Sequence, residues 1–133
     1  MVKQIAVFLE NKEGRASACC RVLKEAGVNL LALSIADTRD FGILRLLTEN
    51  NEKAISALKA AGFLCSEVEL VGLEVPDKAG ALSDLLISLG ENGVNVEYMY
   101  SYAETDGCAK IVFKTSEPEK ATEVLAAAGA VLL

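Results

Sequence analysis

The sequence predicts an α+β protein built of two βαββαβ units in tandem. Three observations lead there. The chain repeats itself at an interval of 66 residues. Each copy interleaves period-two apolar runs with runs spaced i, i+3, i+4, i+7, and a glycine closes each of the latter. With residue i laid on i+66, Asn11-Lys12-Glu13-Gly14 falls on Asp77-Lys78-Ala79-Gly80, Ser17 on Ser83, and Gly27-Val28-Asn29 on Gly93-Val94-Asn95. One extra residue between Glu104 and Gly107 lengthens the interval to 67. After it, Glu52-Lys53-Ala54 meets Glu119-Lys120-Ala121, and Ala60-Ala61-Gly62 meets Ala127-Ala128-Gly129. An ordered series of matches with one gap marks a duplication, with units expected at residues 1–67 and 68–133.

The elements follow in order. Lys3 to Leu9 alternates around Ile5, Val7 and Leu9, as a half-buried strand does, and Val71, Leu73 and Val75 repeat it. A helix follows the Gly14 turn, with apolar Ala16, Cys19, Cys20 and Leu23 on one face; its copy has Leu82, Leu85, Leu86 and Leu89. Gly27 and Gly93 suit the left-handed residue that ends a helix. Two strands come next, near Asn29–Ala36 and Ile43–Thr48, then Asn95–Tyr102 and Ala109–Thr115 in the second copy. The last helices are expected to bury Ala54, Ala57, Leu58 and Ala61, or Ala121, Val124, Leu125 and Ala128. Ser116-Glu117-Pro118-Glu119 reads as a capping box with proline just inside the helix. Between the copies, Cys65-Ser66-Glu67-Val68-Glu69-Leu70-Val71 alternates without a linker, so the closing strand of one is expected to run into the opening strand of the next.

Composition excludes much. The 133 residues carry 13 Lys+Arg, 19 Asp+Glu and no histidine, for a net charge of −6. Without histidine there is no imidazole base, metal ligand or pH switch. No apolar run approaches the roughly 18–20 residues of a membrane helix, and Met1-Val2-Lys3-Gln4-Ile5 lacks the pattern of a secretory signal. Cys19 and Cys20 are adjacent, Cys65 and Cys108 stand alone, and no CxxC spacing suggests zinc or redox chemistry. A soluble, cytoplasmic, reduced protein is expected, with no membrane contact. No Walker loop, Rossmann fingerprint or zinc motif occurs, and no pair of carboxylates has a setting for acid–base work. The chain is therefore read as non-enzymatic, with no cofactor and no metal.

A βαββαβ unit with Asn11-Lys12-Glu13-Gly14-Arg15 or Asp77-Lys78-Ala79-Gly80-Ala81-Leu82 after its first strand, and Gly27-Val28-Asn29 or Gly93-Val94-Asn95 before its second, resembles the ACT domain. That small ligand-sensing fold occurs in regulators of amino-acid metabolism. The resemblance covers the chain as two tandem copies. It implies ferredoxin-like units side by side in one eight-stranded antiparallel sheet, with helices on one face and effector sites at the junction. The family more often has proline before the loop glycine, where this chain has Glu13 and Ala79. Carried over by motif, the ligand-binding candidates are Asn11, Glu13, Gly14, Arg15, Asn29, Asp77, Ala79, Gly80, Ala81, Leu82 and Asn95.

Physical chemistry supports such a loop as an amino-acid receptor. Glycine admits close backbone approach, the free N–H groups opening the next helix favour a carboxylate, and an Asn or Asp oxygen can accept from an ammonium group. The alternative for each Asn or Asp is an Asx turn or helix cap, and for Arg15 a solvated helix residue.

Tyr98, Tyr100 and Tyr102 alternate along one strand, as base-stacking aromatics do on RNA-binding sheets. They stand in the acidic half, however: residues 1–66 carry a net +2 and residues 67–133 a net −8. An acidic surface repels phosphates, so nucleic acid is not expected and the rings are read as core or subunit-contact residues. Cys19 and Cys20 align with Leu85 and Leu86, which favours packing over reactivity. The expected protein is a sensor of a small amino acid or similar metabolite, a homodimer, acting on a metabolic enzyme or regulator. The competing expectation is a ligand-independent dimerisation or assembly module.

Overall fold

In a computed structural model of the protein, residues 1–37 and 40–133 are described. The elements are β1 (Val2–Glu10), α1 (Arg15–Glu25), β2 (Leu30–Asp37), β3 (Phe41–Thr48), α2 (Asn51–Ala60), β4 (Leu64–Pro76), α3 (Ala81–Glu91), β5 (Tyr98–Thr105), β6 (Cys108–Lys114), α4 (Pro118–Ala127) and β7 (Val131–Leu132). They form two compact units: Lys3–Val68, called here the N-terminal unit, and Glu69–Leu133 with Met1–Val2, the C-terminal unit.

In the N-terminal unit β3 lies between β1 and β2, antiparallel to both, with Ile5 opposite Leu46 and Leu46 opposite Leu33. A bulge at Leu31 interrupts the β2–β3 ladder between Leu30 and Ala32. In the C-terminal unit β6 lies between β4 and β5, and the short β7 pairs with β4 at Leu73 and Glu74. Seven strands are therefore present among the described residues, not the eight expected. The closing strand of the first copy and the opening strand of the second are one uninterrupted 13-residue strand, β4.

Each unit has its own core, built from the apolar positions that the periodicity selects. In the N-terminal unit Ile5, Val7 and Leu9 of β1 meet Leu44 and Leu46 of β3, under Cys19, Leu23, Ala54 and Leu58 of the two helices. In the C-terminal unit Val71, Leu73 and Val75 meet Ile111 and Phe113, under Leu89, Ala121 and Leu125. Each large side chain so buried contributes about 1.5–3 kcal/mol.

Helix ends follow local chemistry, with some departures from expectation. Gly27, Gly93, Gly62 and Gly129 take φ of 71°, 73°, 88° and 83°, the left-handed conformation that stops a helix. The Asn50 side chain accepts from the Lys53 amide (3.1 Å) and caps α2. The expected capping box of α4 does not form: its N-cap, Glu117, makes no side-chain cap bond, and Thr115 Oγ1 instead accepts from the Glu117 amide at 3.2 Å. Ala61 and Ala128 are exposed rather than buried, because the helix has already ended at its cap there. β5 starts at Tyr98 rather than Asn95, since Glu97 is the first of these residues whose amide reaches Lys114 O, at 2.9 Å.

Candidate functional site

The two duplicated loops join the first strand of each unit to the helix that follows. In the N-terminal unit the Asn11 amide donates to Asp40 O (3.0 Å) and the Lys12 amide to Glu10 O (2.9 Å). Gly14, at φ 80°, opens α1 and accepts at its carbonyl from Ala18 N and Ser17 Oγ, both at 3.0 Å. Lys12 Nζ lies 2.9 Å from Glu10 Oε2, and this hydrogen bond and charge hold the Glu10 carboxyl below its usual range. Among the described residues the hollow beside this loop is bounded by Asn11, Lys12 and Glu13, all exposed.

The second loop has the same backbone and different walls. The Asp77 amide donates to Gly107 O and the Lys78 amide to Pro76 O, both at 2.8 Å; Gly80 takes φ 86°. The N-cap of each following helix is the glycine itself, which offers no side-chain cap. The first turn of α3 therefore keeps orphan donors: among the described residues the amides of Ala79, Gly80, Leu82 and Ser83 meet no acceptor, while Ala81 N reaches Lys78 O at 3.3 Å. Beside this turn lies a cavity of about 350 Å³, bounded by Asp77, Lys78, Leu82, Met99, Tyr100 and Ser101. It combines one carboxylate, one ammonium group and an apolar wall.

The other candidates fall elsewhere. Asn29 donates from Nδ2 to Glu49 Oε1 (3.2 Å) and accepts at its carbonyl from the Glu49 amide (3.2 Å). Within the N-terminal unit, Asn29 and Asn11 lie at opposite ends of β3, about 23 Å apart at roughly 3.3 Å per residue, because Glu10 pairs with Phe41 and Leu30 with Thr48. Asn95 and Asp77 are likewise at opposite ends of β6. Glu13, Ala79 and Gly80 are exposed. Arg15 leaves the loop and lies over the Phe63 ring, with Cζ 5.0 Å from its centroid. Ala81 faces a different cavity from Asp77.

Met99, Tyr100 and Ser101 are the wall residues not anticipated from the motifs. The three tyrosines are all half-buried, outside the core, and Tyr98 and Tyr100 share a face opposite Lys114 and Val112. Burial and the nearby Glu74 carboxylate push the Tyr102 phenol up. Among the described residues no group of three or more His, Cys, Asp or Glu could hold a metal ion, and no helix is long and apolar enough to cross a membrane.

Two copies of one βαββαβ unit, each with a glycine-closed loop opening its first helix, define a tandem ferredoxin-like α+β fold. The chain belongs to the ACT domain pair family, whose profile matches residues 1–130. It is similar to a protein of known structure, BT0572 from Bacteroides thetaiotaomicron, at 41% identity, covering 99% of this chain and 91% of that one with a TM-score of 0.92. The fold is also that of the regulatory subunit of aspartate kinase from Thermus thermophilus in its ligand-free form: TM-score 0.65, 14% identity, 95% and 91% of the two chains covered. The corresponding subunit from Thermus flavus gives a TM-score of 0.62 at 13% identity, over 96% and 92% of the chains. The two Thermus chains are regulatory subunits. No curated protein matches the sequence.

Proposed function

We propose that this ACT domain pair is a non-catalytic regulatory protein that binds a small amino acid or similar metabolite. The observation that carries the reading is the cavity of about 350 Å³ beside Asp77, into which an apolar wall and the opening of α3 converge. Asp77 would accept from a ligand ammonium group. Lys78 and the unpaired amides of the first turn of α3 would receive its carboxylate. Leu82, Met99 and Ile111 would enclose an apolar side chain. The resemblance located the effector at a junction of units; the present reading rests on a cavity within one unit. Among the described residues the hollow at Asn11 has no such wall, so the two loops are expected to differ, with binding at the second. The likeness to aspartate kinase regulatory subunits supports a partner that is a metabolic enzyme.

Calorimetry against the twenty amino acids tests this directly. The expected result is saturable binding of at least one, weakened about tenfold or more in Asp77→Ala, where a charged hydrogen bond is lost, and unchanged in Asn11→Ala. Heat from none of them, with no shift in melting temperature, would remove the proposal, because binding to the folded state must stabilise it.

A second reading is favoured by one observation. Leu31, Leu33 and Ile35 of β2 are 48%, 56% and 54% exposed, and among the described residues β2 pairs on one side only, with β3. An apolar strand edge invites association, so a homodimer that assembles without any ligand is the competing function. Sedimentation of the chain with and without the amino acid panel separates the two.

A further inference from the structure

The duplication lets the helices of the two units be compared position by position. α1 and α3 are each 11 residues long, and α2 and α4 each 10. The two helix layers are alike in size and opposite in charge. Those of the N-terminal unit carry a net +3 and those of the C-terminal unit a net −3. Six aligned positions change charge between the copies. Arg15, Arg21, Lys24 and Lys59 become Ala81, Ile87, Gly90 and Ala126, while Ala18 and Ser56 become Asp84 and Glu123. All six changes run in one direction. A solvated helix surface tolerates changes of either sign, so a one-directional set singles these layers out.

These charges are available to a partner. Arg21, Lys24, Lys59, Asp84 and Glu123 are all exposed, and among the described residues none of them enters an ion pair. Ile87, which stands where the other copy has Arg21, is 53% exposed and offers an aliphatic surface on which a lysine or arginine stem can lie. Each layer also has a groove at the equivalent place. One, of about 520 Å³, runs along α2 past Ser56 and Ala57 to Ala26; the other, of about 390 Å³, runs along α4 past Glu123 and Val124 to Asn92. Such grooves admit the side-chain ridges of a second helix pair. Like layers would repel, +3 against +3 or −3 against −3, and only the unlike pairing brings opposite charges together.

We propose that the helix layer of the N-terminal unit is a docking surface for the helix layer of the C-terminal unit of a second copy of this chain. Arg21, Lys24 and Lys59 of one copy meet Asp84 and Glu123 of the other, around Ile87. A second copy is the occupant because it supplies a helix pair of the same lengths and the opposite charge. The contact uses a different patch on each partner, so it closes into a dimer when made twice about a two-fold axis and otherwise continues from chain to chain. Exposed ion pairs are individually weak and screened by salt, so this association is salt-dependent. It uses neither the apolar edge of β2 nor the cavity beside Asp77, and goes beyond both readings.

Sedimentation equilibrium of the full chain, with no metabolite present, tests this, and its failure leaves the reading at Asp77 standing. The expected result is self-association at about 50 mM salt that weakens about tenfold or more at about 500 mM. Arg21→Glu with Lys24→Glu in one variant, and Asp84→Lys with Glu123→Lys in another, should each weaken it by a similar factor at low salt. An equimolar mixture of the two variants should restore association to near the parent level, since layers of opposite charge meet again. Leu33→Glu, on the edge of β2, should change nothing. No association of the parent chain, association that salt leaves unaltered, a mixture as weak as each variant alone, or loss of the salt-dependent association in Leu33→Glu would overturn the proposal. If circular dichroism shows that a double variant does not fold, the same mixing of Arg21→Glu with Glu123→Lys decides, and absence of rescue there also overturns it.

Discussion

Arg15 brings its guanidinium carbon to 5.0 Å from the Phe63 ring centroid, and the pair joins the start of α1 to the turn after α2. The geometry accounts for an arginine whose Nε is withdrawn from water without a hydrogen-bond partner: the ring face takes part of its charge. A cation over an aromatic face contributes about 0.5–1 kcal/mol near a surface.

Replacing Arg15 by Ala should therefore cost about 1–2 kcal/mol. Arg15→Lys should recover only part of this, since an ammonium group lacks the planar stacking surface. Thermal unfolding of the two variants checks the order.

Gly72 tests how closely the chain ends pack on β4. A Cβ built there would fall 2.6 Å from Val2 Cγ2 and 3.1 Å from Leu133 Cβ, while the Leu133 amide donates to Gly72 O at 2.8 Å. Gly72→Ala should force the two terminal segments away, at a cost of about 1–3 kcal/mol. Faster amide exchange at Leu133, with the centre of α4 unaffected, is the expected signature.

Leu58 and Leu125 are repeat counterparts and both fully buried. Truncation to alanine should cost about 2–5 kcal/mol at either position. A unit of this size has little stability to spare, so each change should unfold chiefly its own unit. Residue-resolved hydrogen exchange would show Leu125→Ala exposing the amides of β6 while those of β3 stay protected.

Burial pushes the Cys19 thiol from 9.0 up to about 11, with Cys20 and Cys65 adding to the effect. The folded chain thus holds this proton more tightly than the unfolded chain does. Its contribution to stability is complete below pH 9 and is lost as pH rises toward 11. Urea titrations at pH 8 and pH 10.5 should show a loss that is smaller in Cys19→Ala. At neutral pH a maleimide should label half-buried Cys20 and Cys108 ahead of buried Cys19 and Cys65.

Periodicity and glycines made the fold readable in advance because both act locally. Cys19 and Leu23, or Ala54 and Leu58, are one helical turn apart, and Gly27 or Gly93 stops a helix through its own φ. The strand that crosses the repeat boundary was also legible, in the alternation of Cys65 to Val71, although counting it as two strands overstated the total. Register was less accessible. Nothing local tells that Asn95 lies outside the ladder and Thr105 inside it; that depends on which β6 carbonyl Glu97 reaches. The cavity walls were hidden for the same reason. Met99, Tyr100 and Ser101 meet Asp77 only through strand pairing across a distance of more than twenty residues in the chain. The exchange of Arg15 for Ala81 stood in the aligned repeats all along, but its meaning needed Phe63, which lies far from either in sequence.

β4 runs for 13 residues from Leu64 to Pro76 with no turn, glycine-rich tether or proline break at the repeat boundary. The ancestral duplication has thereby erased its own seam. Half-molecules expressed separately would each inherit a severed strand with raw hydrogen-bonding groups at the cut, and a spacer inserted after Val68 would break a ladder rather than lengthen a tether. Dissection of the protein into its two copies should accordingly yield aggregation-prone fragments, and recombination between relatives should succeed at the Gly107 turn before it succeeds at the midpoint.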